Sequence, residues 1–163
     1  MRWGGAPCDP LVKIARELSP PAVTLSRMAY DPWGEVPAGW SVDLVVMPVR
    51  GMCRWSRKAI LLDIRLSRVE ERCTLAHEIV HAQRGPFPRW ATAREEAAVN
   101  AEAARRLIPL DALGEALAWS LHPAVAAEEL DVDPSTLEAL LRDLAAAEVE
   151  ALRRRLQHHF ESP

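Results

Sequence analysis

Hydrophobic positions in the first part of the chain fall in short runs rich in valine and leucine. Two such runs, residues 41–49 and 58–64, alternate only weakly and are predicted to be strands. A short connection containing Gly51 joins them, so we expect an antiparallel pair within a small antiparallel or mixed sheet. A short helix over residues 9–18 and an extended piece over residues 23–28 are predicted to precede this pair.

From residue 67 onward the hydrophobic spacing becomes helical. Ser67 and Glu70 form a Ser-x-x-Glu capping box that predicts a helix ending at about residue 84. Thr92 and Glu95 repeat the pattern and predict a second helix that ends at about residue 107. Further helices are predicted over residues 111–120, 123–130 and 134–157. The chain is therefore expected to be an α+β protein with a small sheet packed on the first of these helices and a helical C-terminal half.

Composition narrows the class of protein. The chain has 163 residues, of which 49% are hydrophobic and 26% charged, as in globular domains. No apolar run approaches the roughly 18 residues that span a bilayer, and the first residues lack a secretory signal, so we expect a cytoplasmic protein without a membrane partner. Cys8, Cys53 and Cys73 are widely spaced and are expected to be reduced thiols. The net charge of -3 gives no general attraction to nucleic acid.

The first predicted helix carries the motif His-Glu-x-x-His. His77 and His81 are four residues apart, so both imidazoles lie on one face and can reach a single metal ion. Glu78 is offset around the helix, where it can hold and deprotonate a water molecule that the metal activates. The alternative is a pair of surface histidines flanking an acid. Leu75 and Ile79 make the helix partly apolar, which favours a largely buried element and the metal site.

A catalytic zinc ion usually has three protein ligands, and the second predicted helix offers the third. Glu95 is assigned to the capping box with Thr92, whereas Glu96 and Asn100 share the inward face with alanines and a leucine. Glu96 is therefore the candidate ligand, and Asn100 could orient a ligating histidine. The alternatives are a solvated Glu96 and an Asn100 without a role at the site. Cys73 could reach the metal as a thiolate, although a small buried core residue is the commoner role.

These residues resemble a known family. The motif from His77 to His81, the pattern Glu96-x-x-x-Asn100 and an alanine-rich stretch ending at Pro109 are similar to the ImmA/IrrE family of bacterial and phage metallopeptidases. The resemblance extends over about residues 58–110. Glu102 departs from it, because the family usually has a bulky apolar residue two positions after the Asn.

The resemblance implies a minimal thermolysin-like (gluzincin) zinc peptidase core. By this resemblance His77, His81 and Glu96 would bind zinc, Glu78 would be the general base, and Asn100 would support a ligand. It also implies a regulatory role, because members cleave or antagonise helix-turn-helix repressors that control mobile elements or stress genes. The candidates for the residue that stabilises the oxyanion are Tyr30, His122, His158 and His159, and no sequence pattern favours one of them.

The chain is divided at residue 110 into a zincin-like metallopeptidase core, residues 1–110, and a helical C-terminal subdomain, residues 111–163. Within the subdomain, residues 127–137 resemble a helix-turn-helix, with Asp133 as the cap and Pro134 in the first helical position. Acidic residues crowd this segment, namely Glu128, Glu129, Asp131, Asp133 and Glu138, and they would repel phosphate. DNA is therefore not an expected partner, and a helical hairpin that packs on the core or holds a protein partner is favoured.

The resulting hypothesis is a zinc-dependent metallopeptidase that cleaves a regulatory protein, such as a helix-turn-helix repressor, at a specific site. The strand over residues 58–64 is expected to pair with an extended segment of the substrate. The first alternative is a non-catalytic anti-repressor that binds its partner and holds zinc without using it. The second is a DNA-binding regulator that senses through the metal domain.

Overall fold

The computed structural model of the chain describes residues 30–161, and the side chains of residues 30–157. The predicted helix over residues 9–18 and the extended piece over residues 23–28 lie outside the described residues, as do Cys8 and the side chains of His158 and His159. The described part is an α+β fold of three strands followed by six α-helices. The strands are β1 (Ser41–Val45), β2 (Gly51–Arg54) and β3 (Ala59–Asp63). The helices are α1 (Arg68–Arg84), α2 (Thr92–Leu107), α3 (Leu110–Trp119), α4 (Pro123–Glu129), α5 (Pro134–Asp143) and α6 (Ala146–Glu161).

The sheet is mixed and has β3 at its centre. β1 pairs with β3 in parallel, with Val42 opposite Ile60, whereas β2 pairs with β3 antiparallel, with Cys53 opposite Ile60. The predicted antiparallel pairing of the two long runs is therefore wrong. Gly51 begins a third strand instead of forming the turn, so the chain reverses twice between β1 and β3 and the two runs point the same way.

The position of β3 also overturns a prediction about substrate binding. Pairing of residues 58–64 with a substrate segment requires a free strand edge, but β3 is paired on both sides. A paired strand has no free backbone groups left for another chain. Among the described residues, β1 and β2 are the edge strands.

Helix α1 begins at the predicted capping box. The backbone N–H of Ser67 donates to Oε2 of Glu70 at 3.0 Å, and the backbone N–H of Glu70 donates to Oγ of Ser67 at 3.3 Å. The helix ends at Gly85, whose φ of 84° lies in the region that favours glycine. One face of α1 packs on the sheet, in a cluster formed by Cys53, Ile60, Leu62, Leu75 and Ile79. The opposite face, with Ala76 and Val80, packs into a second core among the helices.

Helix α2 has the predicted extent but not the predicted cap. A 3-10 turn, Arg89–Ala91, precedes it, so Thr92 already has helical backbone angles and its hydroxyl donates to the carbonyl of Arg89 at 2.8 Å. Glu95 instead accepts from Arg84 of α1, with Nη2 of Arg84 2.7 Å from Oε2. The predicted capping box of Thr92 and Glu95 is therefore wrong. The chain becomes helical before Thr92, and the side chain of Glu95 forms an ion pair with Arg84 of another helix.

The last part of the chain contains two helices where one was predicted over residues 134–157. The helix breaks at Leu144, which has extended backbone angles. Arg105 of α2 forms hydrogen bonds on both sides of the break: its Nε donates to Asp143 at 2.6 Å and its Nη1 donates to Glu148 at 2.9 Å. Glu148 also accepts from the backbone N–H of Ala145 and so caps α6.

The helices after residue 110 share a hydrophobic core with α1 and α2. Buried residues of this core include Val80, Val99, Leu113, Leu137 and Leu152, which come from five helices. Asp133 caps α5 as predicted, accepting from the backbone N–H of Thr136 at 2.8 Å. The division of the chain at residue 110 remains a prediction. None of the helices within residues 30–161 combines the length and the apolar character needed to cross a membrane.

Candidate metal centre

Helices α1 and α2 bring three potential metal ligands together. Nε2 of His77 lies 3.4 Å from Oε2 of Glu96, and Nε2 of His81 lies 3.3 Å from Oε1 of the same carboxylate. One donor atom from each residue lies within 4.8 Å of the other two. The packing of α1 against α2 therefore assembles the two histidines and the acid that the sequence singled out.

These three residues, His77, His81 and Glu96, form a donor set with a buried side and a solvent-exposed side. The side chain of His81 is only 8% exposed, whereas that of Glu96 is 41% exposed. Solvent and any ligand therefore reach the group past α2. Glu96 lies at the edge of the inward face of α2, while Ala103, Ala104 and Leu107 of that face are buried.

His81 is held by aromatic side chains. Phe87 stacks on its imidazole with ring centroids 5.7 Å apart, and Trp55 meets it edge-on at 6.4 Å. The indole N–H of Trp55 also donates to the backbone carbonyl of His81 at 3.2 Å. These contacts fix the ring so that Nε2 faces Glu96, while the buried Nδ1 has no hydrogen-bond partner among the described residues.

His77 is less enclosed than His81, and its ring centroid lies 4.7 Å from that of His81. Burial lowers the pKa of His77, as does the nearby His81, while Glu96 and a hydrogen bond with Asn100 oppose the shift. The result favours the neutral imidazole, which is the form that binds a metal. The structure thus places Asn100, an exposed residue, beside His77.

Glu78 lies on the side of α1 that faces the sheet and is only 6% exposed. Burial raises the pKa of its carboxyl group to about 7, with a hydrogen bond from Cys53 acting against the rise and the charge of Glu96 adding to it. The thiol of Cys53 donates to the backbone carbonyl of Glu78 at 3.1 Å. Burial, followed by the charge of Glu78, raises the pKa of Cys53 to about 12, so this thiol stays protonated.

Strand β2 approaches the general-base candidate closely at Gly51. A Cβ atom at this position would lie 2.8 Å from Oε1 of Glu78, 2.9 Å from its Cγ and 2.6 Å from Cγ2 of Thr74. No real Cβ makes contacts this short, so the absence of a side chain at Gly51 provides the space that the carboxylate of Glu78 occupies.

Four residues of the site have no counterpart among the residues predicted from the sequence, namely Gly51, Cys53, Trp55 and Phe87. All four lie outside the two helices that carry the motifs, and only the tertiary structure brings them into contact with these helices. The one available signal was the density of glycine, cysteine and tryptophan immediately after the first strand. Of the oxyanion candidates, Tyr30 packs against the helical core and His122 is exposed before α4, so the structure does not bring either to the donor set.

Comparison with known proteins identifies the family. The profile of the IrrE N-terminal-like domain, a peptidase family, matches residues 41–142. The chain belongs to this family. The match starts at β1 and ends within α5, so it contains both helices of the candidate metal centre and extends past residue 110. Searches of the curated proteins and of the solved structures gave no match. Membership in this family makes the chain a metallopeptidase-type protein, and the group of His77, His81 and Glu96 is one that could bind the metal.

Proposed function

We propose that this protein is a zinc-dependent metallopeptidase of the gluzincin type that cleaves a regulatory protein, such as a helix-turn-helix repressor, at a specific site. The observation that carries the proposal is the convergence of His77, His81 and Glu96 next to Glu78, whose buried carboxylate is close enough to Glu96 for that charge to raise its pKa. A metal site with only a structural role has no need of an acid beside its ligands.

The donor set fits zinc in both chemistry and spacing. Imidazole nitrogens and a carboxylate oxygen are common zinc ligands, and two histidines with a glutamate form a three-residue set that leaves a fourth position open. The imidazole of His77 lies 3.4 Å from one oxygen of Glu96 and that of His81 lies 3.3 Å from the other, and one donor atom from each of the three residues lies within 4.8 Å of the other two, so all three side chains can reach one ion. His77, His81 and Glu96 would hold the ion.

The protein's own residues then carry out the proton transfers. A zinc ion bound here would polarise the scissile carbonyl and activate the attacking water. Glu78 would accept a proton from that water and later deliver it to the nitrogen of the departing amine. The close approach of β2 at Gly51 confines the carboxylate of Glu78, and the thiol of Cys53 holds the backbone of the same residue; orientation of a catalytic group contributes strongly to rate.

An extended substrate segment is proposed to add to β2. This strand pairs only with β3 in the described part of the chain, so its other edge is free there, and Gly51 at its start touches Glu78. A segment that paired with this edge would therefore pass close to the catalytic carboxylate. Selection of one extended segment suits a protease that makes a single cut.

A protein partner is favoured over DNA at the helix-turn-helix-like segment, α4 and α5. Glu128, Glu129, Asp131 and Glu138 are all exposed there and would repel phosphate. Asp133 does not add to this surface, because it is buried and bound to Arg50 at 2.9 Å. The choice of a repressor as the partner is supported by the resemblance to the ImmA/IrrE family.

The decisive experiment compares the protein with its Glu78→Gln variant. Each is loaded with zinc and incubated with the helix-turn-helix repressor encoded nearest to its gene, and the products are identified by intact-mass analysis. Metal content is measured for both proteins, and His77→Ala serves as the control that should lose zinc. We expect both the parent and Glu78→Gln to hold one zinc ion, and only the parent to produce one cut.

Two other outcomes would change the conclusion. If neither protein cuts the repressor but both prevent it from binding its operator, the protein is a non-catalytic anti-repressor. If Glu78→Gln cuts as fast as the parent, Glu78 is not the base and the mechanism above is wrong.

A further inference from the structure

Strand β2 and the turn that follows it run along helix α1 past the donor set. At the start of the strand, a Cβ atom on Gly51 would lie 2.8 Å from Oε1 of Glu78. Just after its end, the indole N–H of Trp55 donates to the backbone carbonyl of His81 at 3.2 Å. A substrate segment that paired with the free edge of β2 would therefore pass Glu78 at one end of the strand and approach His81 at the other.

The turn after β2, Trp55–Arg57, contacts the loop that follows α1. The ring centroids of Trp55 in the turn and Phe87 in the loop lie 6.5 Å apart, and the two rings are nearly perpendicular, at 83°. Both rings also contact the imidazole of His81. The turn and the loop therefore form one continuous surface on the side of the donor set where His81 lies.

Four exposed cations flank this contact between the turn and the loop. Arg54, Arg57 and Lys58 are exposed in and beside the turn, and Arg89 is exposed in the loop. Within the described part of the chain no carboxylate forms an ion pair with any of these four residues, whereas Arg84 at the end of α1 is bound by one. We call the four residues the basic rim. Their charges remain available to an anionic group of another molecule.

Acidic residues do not neutralise the basic rim. The segment before β1 and β1 itself pack in the same cluster as Trp55, and they contribute two exposed acids, Glu35 and Asp43. Asp43 lies on β1, which β3 separates from β2. Four cations against two acids give this surface a positive charge, although the whole chain has a net charge of -3.

Trp90 adds an exposed aromatic side chain to the same loop. It is 86% exposed, more than any other large hydrophobic residue in the described part of the chain. Tryptophan and arginine are enriched where proteins bind other proteins, because both combine a large contact area with polar groups. An indole in solvent next to cations without partners therefore favours a binding surface over a merely solvated one.

A polypeptide fits this surface better than a nucleic acid does. Binding to a phosphate backbone depends on many cations along an extended surface, whereas the basic rim has four and the chain as a whole is negative. The rim is also continuous with the free edge of β2, whose backbone groups can pair with those of an extended peptide.

We propose that the basic rim and Trp90 bind an acidic segment of the protein substrate, a few residues to one side of the bond that is cut. The proposal rests on the proposed function, since it places that bond at the donor set and the substrate along β2. Complementary charge would select among extended segments and fix which end of the segment lies over the turn. A substrate with neutral or basic residues in this segment is expected to bind less well.

Peptide binding tests the surface without relying on catalysis. The probes are three fluorescent eight-residue peptides with the same Thr-Val-Thr-Val half and a second half of four Glu, four Gln or four Lys residues. Each is titrated by fluorescence anisotropy into the zinc-loaded full chain carrying Glu78→Gln, so that no peptide is cut. We expect the Glu peptide to bind about 5–20-fold more tightly than the Gln peptide at low salt, because each exposed ion pair contributes a factor of roughly 1.4–5. The preference should shrink at high salt, and the Lys peptide should bind most weakly.

Two double variants show whether the basic rim is responsible. Arg57→Gln with Arg89→Gln should remove most of the preference for the Glu peptide. Arg153→Gln with Arg154→Gln is the matched control, because it removes the same charge from two exposed residues of α6 that form no ion pair within the described part of the chain. Trp90→Ala should weaken the Glu and Gln peptides by similar factors, since an aromatic contact does not distinguish their charges.

The repressor assay separates binding of the segment from chemistry. On the background with Glu78 intact, Arg57→Gln with Arg89→Gln should raise KM and leave kcat nearly unchanged, because the segment is bound equally before and during the reaction. Zinc content and the thermal unfolding midpoint are measured for every variant and should match those of the parent. A fall in kcat without a change in KM would contradict the proposal.

The outcomes distinguish failure of this surface from failure of the proposed function. Equal binding of the Glu and Gln peptides by a protein that holds zinc and cuts the repressor refutes the surface alone. A preference that survives Arg57→Gln with Arg89→Gln also refutes it. Tighter binding of single-stranded oligothymidylate than of the Glu peptide, lost in the same variant, would assign the surface to nucleic acid instead. A protein that holds no zinc and cuts nothing overturns the proposed function, and with it the assignment of the bound segment to a substrate.

Discussion

Replacing Gly51 with alanine is expected to reduce catalysis while leaving metal binding intact. The added Cβ would lie 2.8 Å from Oε1 of Glu78 and 2.6 Å from Cγ2 of Thr74. Both distances are well below a normal contact, so either the carboxylate or the strand must move. Neither moving group belongs to the donor set of His77, His81 and Glu96.

The size of the effect follows from these contacts. Overpacking a well-filled site costs about 1–3 kcal/mol, partly offset by about 0.4–1 kcal/mol because alanine restricts the unfolded chain. That offset applies because Gly51 does not have a positive φ. A net loss of stability of about 0–2.5 kcal/mol is therefore expected. A shift of about 1 Å in a catalytic group lowers the rate about 100-fold, so cleavage should fall much more than stability.

Three measurements on one preparation test this reasoning. Urea unfolding gives the stability, metal analysis gives the zinc content, and the repressor assay gives the cleavage rate. Gly34→Ala is the matched control, because a Cβ at Gly34 would meet nothing within 4 Å and its φ is not positive. Cleavage by Gly51→Ala at the parent rate would show that the contact with β2 does not position Glu78. Loss of zinc from Gly51→Ala would show that the strand supports the ligands instead.

Three further variants test other parts of the structure. Glu96→Ala should weaken zinc binding by more than the roughly 10–100-fold typical of losing a residue that only supports a ligand, and competition with a chelator measures this; an unchanged affinity would remove Glu96 from the ligand set. Asp133→Ala should lower stability by about 0.5–2 kcal/mol at pH 7, because it removes the cap of α5. Although burial acts in the opposite direction, the hydrogen bonds from Thr136 and Ser135 lower the pKa of Asp133 below 3.8. The difference in stability between the parent and Asp133→Ala should therefore shrink as the pH falls below about 4. Urea unfolding from pH 7 to pH 3 measures this difference in stability, and a difference that stays constant over that range would contradict the assignment. Arg105→Ala should lower the urea midpoint of unfolding slightly, since it removes the exposed pairs that span the break between α5 and α6, and an unchanged midpoint in the same assay would assign the break to local sequence alone.

The sequence predicts the end of a helix correctly where the contacts that determine it lie within a few residues of one another. Ser67 and Glu70 cap α1 because their side chains bond to each other's backbone three residues apart, which the sequence contains in full. The same pattern at Thr92 and Glu95 failed, because a preceding turn and Arg84 of another helix decide the outcome there. The break at Leu144 has no proline or glycine to mark it and depends on Arg105, about forty residues earlier.

The sheet could likewise be predicted from the sequence only in part, because its strand directions depend on contacts between distant residues. The two long runs were recognised as strands from their composition, but their relative direction depends on β2, a strand of only four residues. For the site, helical spacing was enough to place His77 and His81 together and to favour Glu96 over Glu95. The contacts of β2 with Glu78 could not be derived in this way, since they depend on how the sheet lies against α1.

The length of β2 sets a condition on the substrate. If a substrate segment adds to this strand, it must be extended over about four residues, or roughly 13 Å at 3.3 Å per residue. A segment inside a folded helix cannot do this, so it must first unfold locally. When such opening is fast relative to cutting, the rate follows the fraction of molecules that are open, and a loss of about 1.4 kcal/mol in the substrate's local stability raises the rate about tenfold. The timing of cleavage would then be set by the substrate's own stability as much as by the peptidase.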